Sequence, residues 1–134
     1  MAEAGADRQV YEGRVNAVMD YVEAHLADDL TIERLAEVAH FSPFHFHRIF
    51  SAVTGETIGA FVARVRIERA ATLLSAGRDR PVTEIALETG FASPSSFSRA
   101  FREAYGVSPT EWRAGGRKDH QRRSDDPAAD PSPE

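Results

Sequence analysis

Three of the chain's five histidines fall in the stretch HFSPFHFHRIF at 40–50, together with four phenylalanines and one arginine. Imidazoles this dense could ligate a metal, move protons or contact another molecule. Chelation needs side chains that converge. His45 and His47 differ by two positions, about 200° around a helix, so they cannot bind one ion together from there. No H-E-x-x-H sequence and no histidine pair at i, i+4 occurs. His40 could approach His45 across a turn, yet two histidines without nearby carboxylates or thiols make a poor zinc set. The absence of cysteine removes disulfides, thiolate sites and cysteine nucleophiles, and no G-x-S-x-G elbow supports a serine nucleophile. We therefore expect no metal, no cofactor and no enzyme activity.

The elements that hold this stretch are helical in period. Val15, Val18, Met19, Val22 and Leu26 recur at spacings of three and four, which predicts an amphipathic helix over about 14–27 closed by Asp28 and Asp29. Thr31 is placed to cap a second helix whose Ile32, Leu35, Ala36 and Ala39 face a core. Ser42 followed by Pro43 has the form of a helix start and Gly55 of a stop, bounding a helix over 43–54. A longer helix is predicted over 58–76, with Ile58, Phe61, Val62, Val65, Ala70, Leu73 and Leu74 as its buried stripe. Beyond Pro81 the pattern resumes at Val82, Ile85 and Ala86 and breaks at Gly90. Ser93 and Pro94 open the next helix, Gly106 ends it, and SPTEW at 108–112 is a capping box opening a short last one. The reading is all-α, about seven helices with no convincing strand.

Apolar content of 42% supports one compact unit of about 100 residues plus tails. No apolar run approaches the roughly 18 residues of a membrane span, and MAEAGADRQ lacks the pattern of a signal peptide, so the expectation is a soluble cytoplasmic protein without membrane contact. The Pro-, Asp- and Ser-rich end, RRSDDPAADPSPE, reads as a disordered tail or linker. A net charge of −5 runs against a nucleic-acid partner, for which a basic footprint is usual. Part of it lies in the flanks. Residues 1–13 carry three acids against one base and residues 114–134 five against four, leaving −2 on the segment between.

That segment contains a repeat. IERLAEVAHF at 32–41 aligns with VTEIALETGF at 82–91 at an offset of 50, and SPFHFHRIFSAVTG at 42–55 with SPSSFSRAFREAYG at 93–106 at an offset of 51. Such self-similarity marks a duplicated structural unit. Here it is helix, tight turn, helix, the proportions of a helix-turn-helix in which the second helix enters the DNA major groove. Nineteen helical residues at 1.5 Å each span about 28 Å, so the helix between the copies could hold two recognition helices roughly one DNA turn (~34 Å) apart. The pairs Phe46/Phe50 and Phe97/Phe101, spaced i, i+4, read as core.

The run IALETGFASPSSFSRAFREAYGVSPTEWR at 85–113, with RIERAATLL at 66–74, resembles the DNA-binding domain of the AraC/XylS family of bacterial transcription regulators, and the likeness extends over about 20–113. It implies two helix-turn-helix subdomains joined by a long central helix: an extension over 1–13, a first subdomain over 14–56, the linker helix over 57–77, a second subdomain over 78–113, and a tail from 114. It implies a sequence-specific transcription regulator, with double-stranded DNA as partner, RNA polymerase contact with activation, and DNA binding possible as a monomer. Carried over by position, the base-reading residues would be Phe44, His45, His47 and Arg48 in the first copy and Ser95, Ser96 and Arg99 in the second. Where relatives often carry Trp and Gln, this chain has Phe44 and His47, and small serines fill the second surface.

Arginine can bond guanine bidentately, a hydroxyl can serve any base edge, and an aromatic ring can meet a thymine methyl. Phosphate contact would fall to the helix starts at Ser42 and Ser93 and to Arg64 and Arg102. Arg99 could instead pair with Glu103, and its alignment with Arg48 could be structural in both copies. Arg64, Arg66 and Arg69 could touch phosphate or pair with Glu68 and other acids. Two other readings stay open: the DNA-binding part of a longer effector-sensing regulator, and a helical protein-interaction module that binds no DNA.

Overall fold

Thr31 accepts a hydrogen bond from the Arg34 amide at 3.1 Å and so starts a helix over Ile32–Ala39; Ser42 does the same for a helix over Pro43–Thr54, with proline at its first position. These are α2 and α3 of a computed structural model in which residues 2–76 and 79–116 are described, residues 2–7 by backbone only. In chain order the helices are α1 (Ala2–Ala24), α2, α3, α4 (Ile58–Ala76), α5 (Val82–Glu88), α6 (Pro94–Tyr105) and α7 (Pro109–Glu111), the last running into a π-helical turn over Trp112–Gly116. The fold is all-α, with seven helices and no strand among the described residues.

Two boundaries, both of α1, differ from the expectation. α1 begins at Ala2, so the segment read as an extension over 1–13 is helical where it is described. Its alanines and acids are good helix formers, but they carry no apolar stripe and so gave no periodic signal. α1 also stops at Ala24, where His25 and Asp28 turn the chain by bonding back to Val22 and His25 at 3.1 and 3.0 Å. Leu26 still reaches the core from that turn. Ile32, expected inside, is 38% exposed. Of the tail expected from 114, residues 117–134 lie outside the described residues.

The chain divides into two compact units, Met1–Arg66 and Ile67–Glu134, so the boundary falls inside α4. The helix read as the linker over 57–77 contributes residues to both cores. Ile58, Phe61, Val62 and Val65 complete a core with Val15, Val18 and Val22 of α1, Leu35 of α2, and Phe46 and Phe50 of α3. Ile67, Ala70, Ala71 and Leu74 complete a second core with Ile85, Ala86, Phe97, Phe101 and Trp112. Arg66 donates to the carbonyls of Leu26 and Asp28 at 3.2 and 3.0 Å, tying the end of α1 to α4 within the first unit.

The two helix-turn-helix turns share one backbone solution. His40 takes φ 62° and Gly90 φ 96°, and in each the next residue, Phe41 or Phe91, donates back to the carbonyl of Ala36 or Ala86 at 3.0 or 2.9 Å. Glycine reaches positive φ without steric cost; a side chain there costs about 1 to 2 kcal/mol. Gly90→Ala is therefore expected to destabilise the protein by about 1 to 2 kcal/mol, read as a lower denaturant midpoint at unchanged slope.

Candidate nucleic-acid interface

α3 and α6 each bury one phenylalanine pair, Phe46/Phe50 and Phe97/Phe101, all fully inaccessible to solvent. That fixes what faces outward. With 100° per residue, Phe44, His47, Arg48 and Ser51 lie on one outward arc of α3. The equivalent arc of α6 carries Ser95, Ser98, Arg99 and Arg102. Phe44, His47 and Arg48 are exposed, as are Ser95, Ser98, Arg99 and Arg102.

Phe44 is 68% exposed, and its ring packs against His45 (centroids 5.7 Å apart) and beneath the Arg48 guanidinium, 5.7 Å from its centroid. An aromatic ring left in solvent beside a stacked arginine is a contact surface in form. In α6 the position of Phe44 is Ser95, so Arg99 has no such shelf. Among the described residues no ion pair joins Arg99 to Glu103 or engages Arg48, so the alternative in which Arg99 serves a local salt bridge finds no support.

His45 and Ser96 occupy the third helical position of their units, and both turn back to the cap. The Ser42 hydroxyl accepts from the His45 amide at 3.3 Å and lies 3.1 Å from its Nδ1. Ser96 forms a reciprocal capping box with Ser93: its amide donates to Ser93 Oγ at 3.1 Å, and its own hydroxyl accepts from the Ser93 amide at 3.3 Å. Each side chain thus holds a helix start as well as standing near the outward arc. Ser98, which aligns with His47 at the offset of 51, is exposed on the same arc, a place the repeat itself points to.

The arginines expected to meet phosphate separate. Arg64 is committed to Glu56, at 2.6 Å between Nη2 and Oε2, and lies over the Phe61 ring at 5.4 Å. Arg66 serves the α1 turn described above. Arg69 is exposed with no ion pair among the described residues. Arg102 stands on the α6 arc. The Glu111 carboxyl is held below the ordinary carboxylate range by the Ser108 amide, which donates to it at 2.8 Å, with the Arg102 charge a smaller contribution.

The motif at the end of the likeness is structural. Trp112 buries its indole against Phe101 and Tyr105 and donates from Nε1 to the Ala71 carbonyl and the Ser75 hydroxyl, both at 3.2 Å. Arg113 donates to the Leu74 carbonyl at 3.4 Å. Among the described residues no three or more His, Asp or Glu side chains gather to hold a metal ion, and no helix is long and apolar enough to cross a membrane.

A family model described as a helix-turn-helix domain matches residues 35–115. The chain is 37% identical over 102 residues to the probable transcriptional regulator LumQ of Photobacterium leiognathi, a match covering 75% of this chain and 41% of LumQ. It thus spans less than half the length of this and other curated relatives. Among solved structures it resembles a probable AraC family transcriptional regulator from Rhodopseudomonas palustris, at 32% identity and a TM-score of 0.68, covering 78% of this chain and 97% of that one. It also resembles the DNA-binding domain of the global transcriptional factor AdpA in complex with a target DNA, at 31% identity and a TM-score of 0.71, covering 84% of this chain and 97% of that one. With the duplicated cap, turn and outward arc already in the fold, these matches establish that the chain belongs to the AraC/XylS family of helix-turn-helix transcription regulators and carries that family's DNA-binding domain.

Proposed function

We infer that the chain regulates transcription by binding double-stranded DNA sequence-specifically, with α3 and α6 reading successive segments of the major groove as a monomer. Base reading falls to Phe44, His47, Arg48, Ser95 and Arg99, joined by Ser98, with His45 and Ser96 dividing their role between cap and DNA. Ser42, Ser93 and Arg102 serve phosphates; Arg64 would first have to leave Glu56. The observation that carries the reading is the repeated outward arginine: Arg48 and Arg99 sit one turn past a serine-capped helix start, exposed and with no carboxylate partner among the described residues, while Phe46/Phe50 and Phe97/Phe101 turn inward. The DNA held by AdpA's similar domain supports it. Activation through RNA polymerase is the outcome family membership favours, and such a role implies a bacterial cytoplasm.

The net charge of −5 favours a second reading, a helical module that docks on protein and leaves DNA alone. Fluorescence anisotropy on a random-sequence duplex separates the two. Affinity is expected to fall with salt along a log-log slope of several units, each neutralised phosphate contributing about 0.9. No binding at low salt would end the DNA reading.

A further inference from the structure

The first turn of the repeat is gripped from α1, and among the described residues the second turn has no such grip. Arg14 donates from Nη1 to the His40 carbonyl at 3.2 Å and lays its guanidinium 4.9 Å from the centre of the Phe41 ring. Tyr11, one helical turn earlier, meets the same ring edge-on at 5.4 Å. Among the described residues no carboxylate pairs with Arg14, so the turn is what its charge and donors engage. In the second unit Phe91 packs instead on Phe97 of its own helix pair, at 5.1 Å, and no side chain among the described residues bonds to the Gly90 carbonyl.

The grip falls where leverage on α3 is greatest. His40 holds a positive φ that a side chain disfavours, and the chain runs from it through Phe41 straight to Ser42, the cap of α3. Phe44, His47 and Arg48 begin two residues beyond that cap. A small rotation at the turn swings their tips across base edges, and bidentate bonds to a base tolerate little of it. The second turn uses a glycine, which holds positive φ without help.

We propose that Arg14, backed by Tyr11, is a positioning residue for the first recognition helix: it fixes the turn that aims α3 and thereby sets base discrimination in the first half-site. This rests on the DNA reading above. The test uses the full chain and a preferred duplex selected from a random library, with half-sites assigned by where Arg48→Ala and Arg99→Ala lose discrimination. Arg14→Ala is expected to cut discrimination at base pairs under α3 by roughly five-fold or more, while discrimination under α6, affinity for random duplex and helical circular dichroism stay at wild-type levels. Arg14→Lys, which keeps a donor and a cation, should recover most of the loss. Wild-type discrimination by Arg14→Ala at both half-sites would overturn the proposal. An equal loss at both would also overturn it, because it would make Arg14 a general support of the fold. Should Arg14→Ala lose helical signal, Arg14→Met, which keeps the aliphatic stem but carries neither donor nor charge, is judged by the same two criteria. A wild-type chain that selects no duplex overturns the DNA reading itself, before any variant is made.

Discussion

Trp112→Ala is expected to cost about 3 to 5 kcal/mol of stability, the usual range for truncating a buried large aromatic residue. The side chain is 5% exposed and closes the second core from its end, with the Phe101 ring 5.5 Å away at 82° and the Tyr105 ring 4.6 Å away. The indole N–H is spent on Ala71 and Ser75 of α4, two donations that anchor the end of the described chain to the helix on which the second unit is built. Trp112→Phe keeps most of the apolar contact and drops the donor, so it should cost less, roughly 1 to 3 kcal/mol from the partners left unsatisfied together with a small packing loss. Chemical denaturation measures both. Native-state hydrogen exchange should place the damage in α6 and leave α2 and α3 protected. A cost below about 1 kcal/mol for the alanine variant would mean the site relaxes around the hole, and Trp112 would lose its role as the lock of the second unit.

That lock shows what periodicity and caps can and cannot reveal. α3 and α4 have the predicted bounds, 43–54 and 58–76, because Ser42 and Gly55 punctuate strong apolar stripes. The N-terminal half of α1 was missed for the opposite reason: Ala and Glu favour helix without marking a face. Side-chain partners are harder to foresee when they come from far along the chain. Glu56 lies eight residues from Arg64, Leu26 forty from Arg66 and Ala71 forty-one from Trp112, so no local spacing rule could have assigned these groups to the fold. His45 and Ser96 differ, since a residue three places after a serine cap is where a return bond is made, and SPFH and SPSS carried that signal. The inward and outward faces of α3 and α6 were legible because one repeat could be laid on the other. Arg14 was not, because the grip on the first turn has no copy in the second among the described residues.

Arg99→Ala is expected to lose about 1 to 3 kcal/mol on the preferred duplex and much less on random DNA, the pattern of a bidentate contact to guanine. A phosphate contact would weaken both by similar amounts and lower the salt slope by about one unit. A folding role would lower the melting temperature instead; an exposed side chain with no ion pair among the described residues gives no reason for that. Arg99→Lys separates geometry from charge, because an ammonium restores attraction to phosphate but not the flat two-pronged fork, and should remain defective on the preferred site. Arg48 offers the internal comparison. Its guanidinium rests over Phe44, whereas Arg99, with Ser95 in the equivalent place, has no ring beneath it. Phe44→Ala should therefore weaken the Arg48 contact by removing both its shelf and any apolar contact of the ring, and Arg48→Ala in that background should cost less than it does alone. In the second unit Ser95→Ala should leave the effect of Arg99→Ala unchanged, since no such stacking couples them. Equal coupling in both pairs would show that the two arginines are held alike on DNA despite their different neighbours in the free protein.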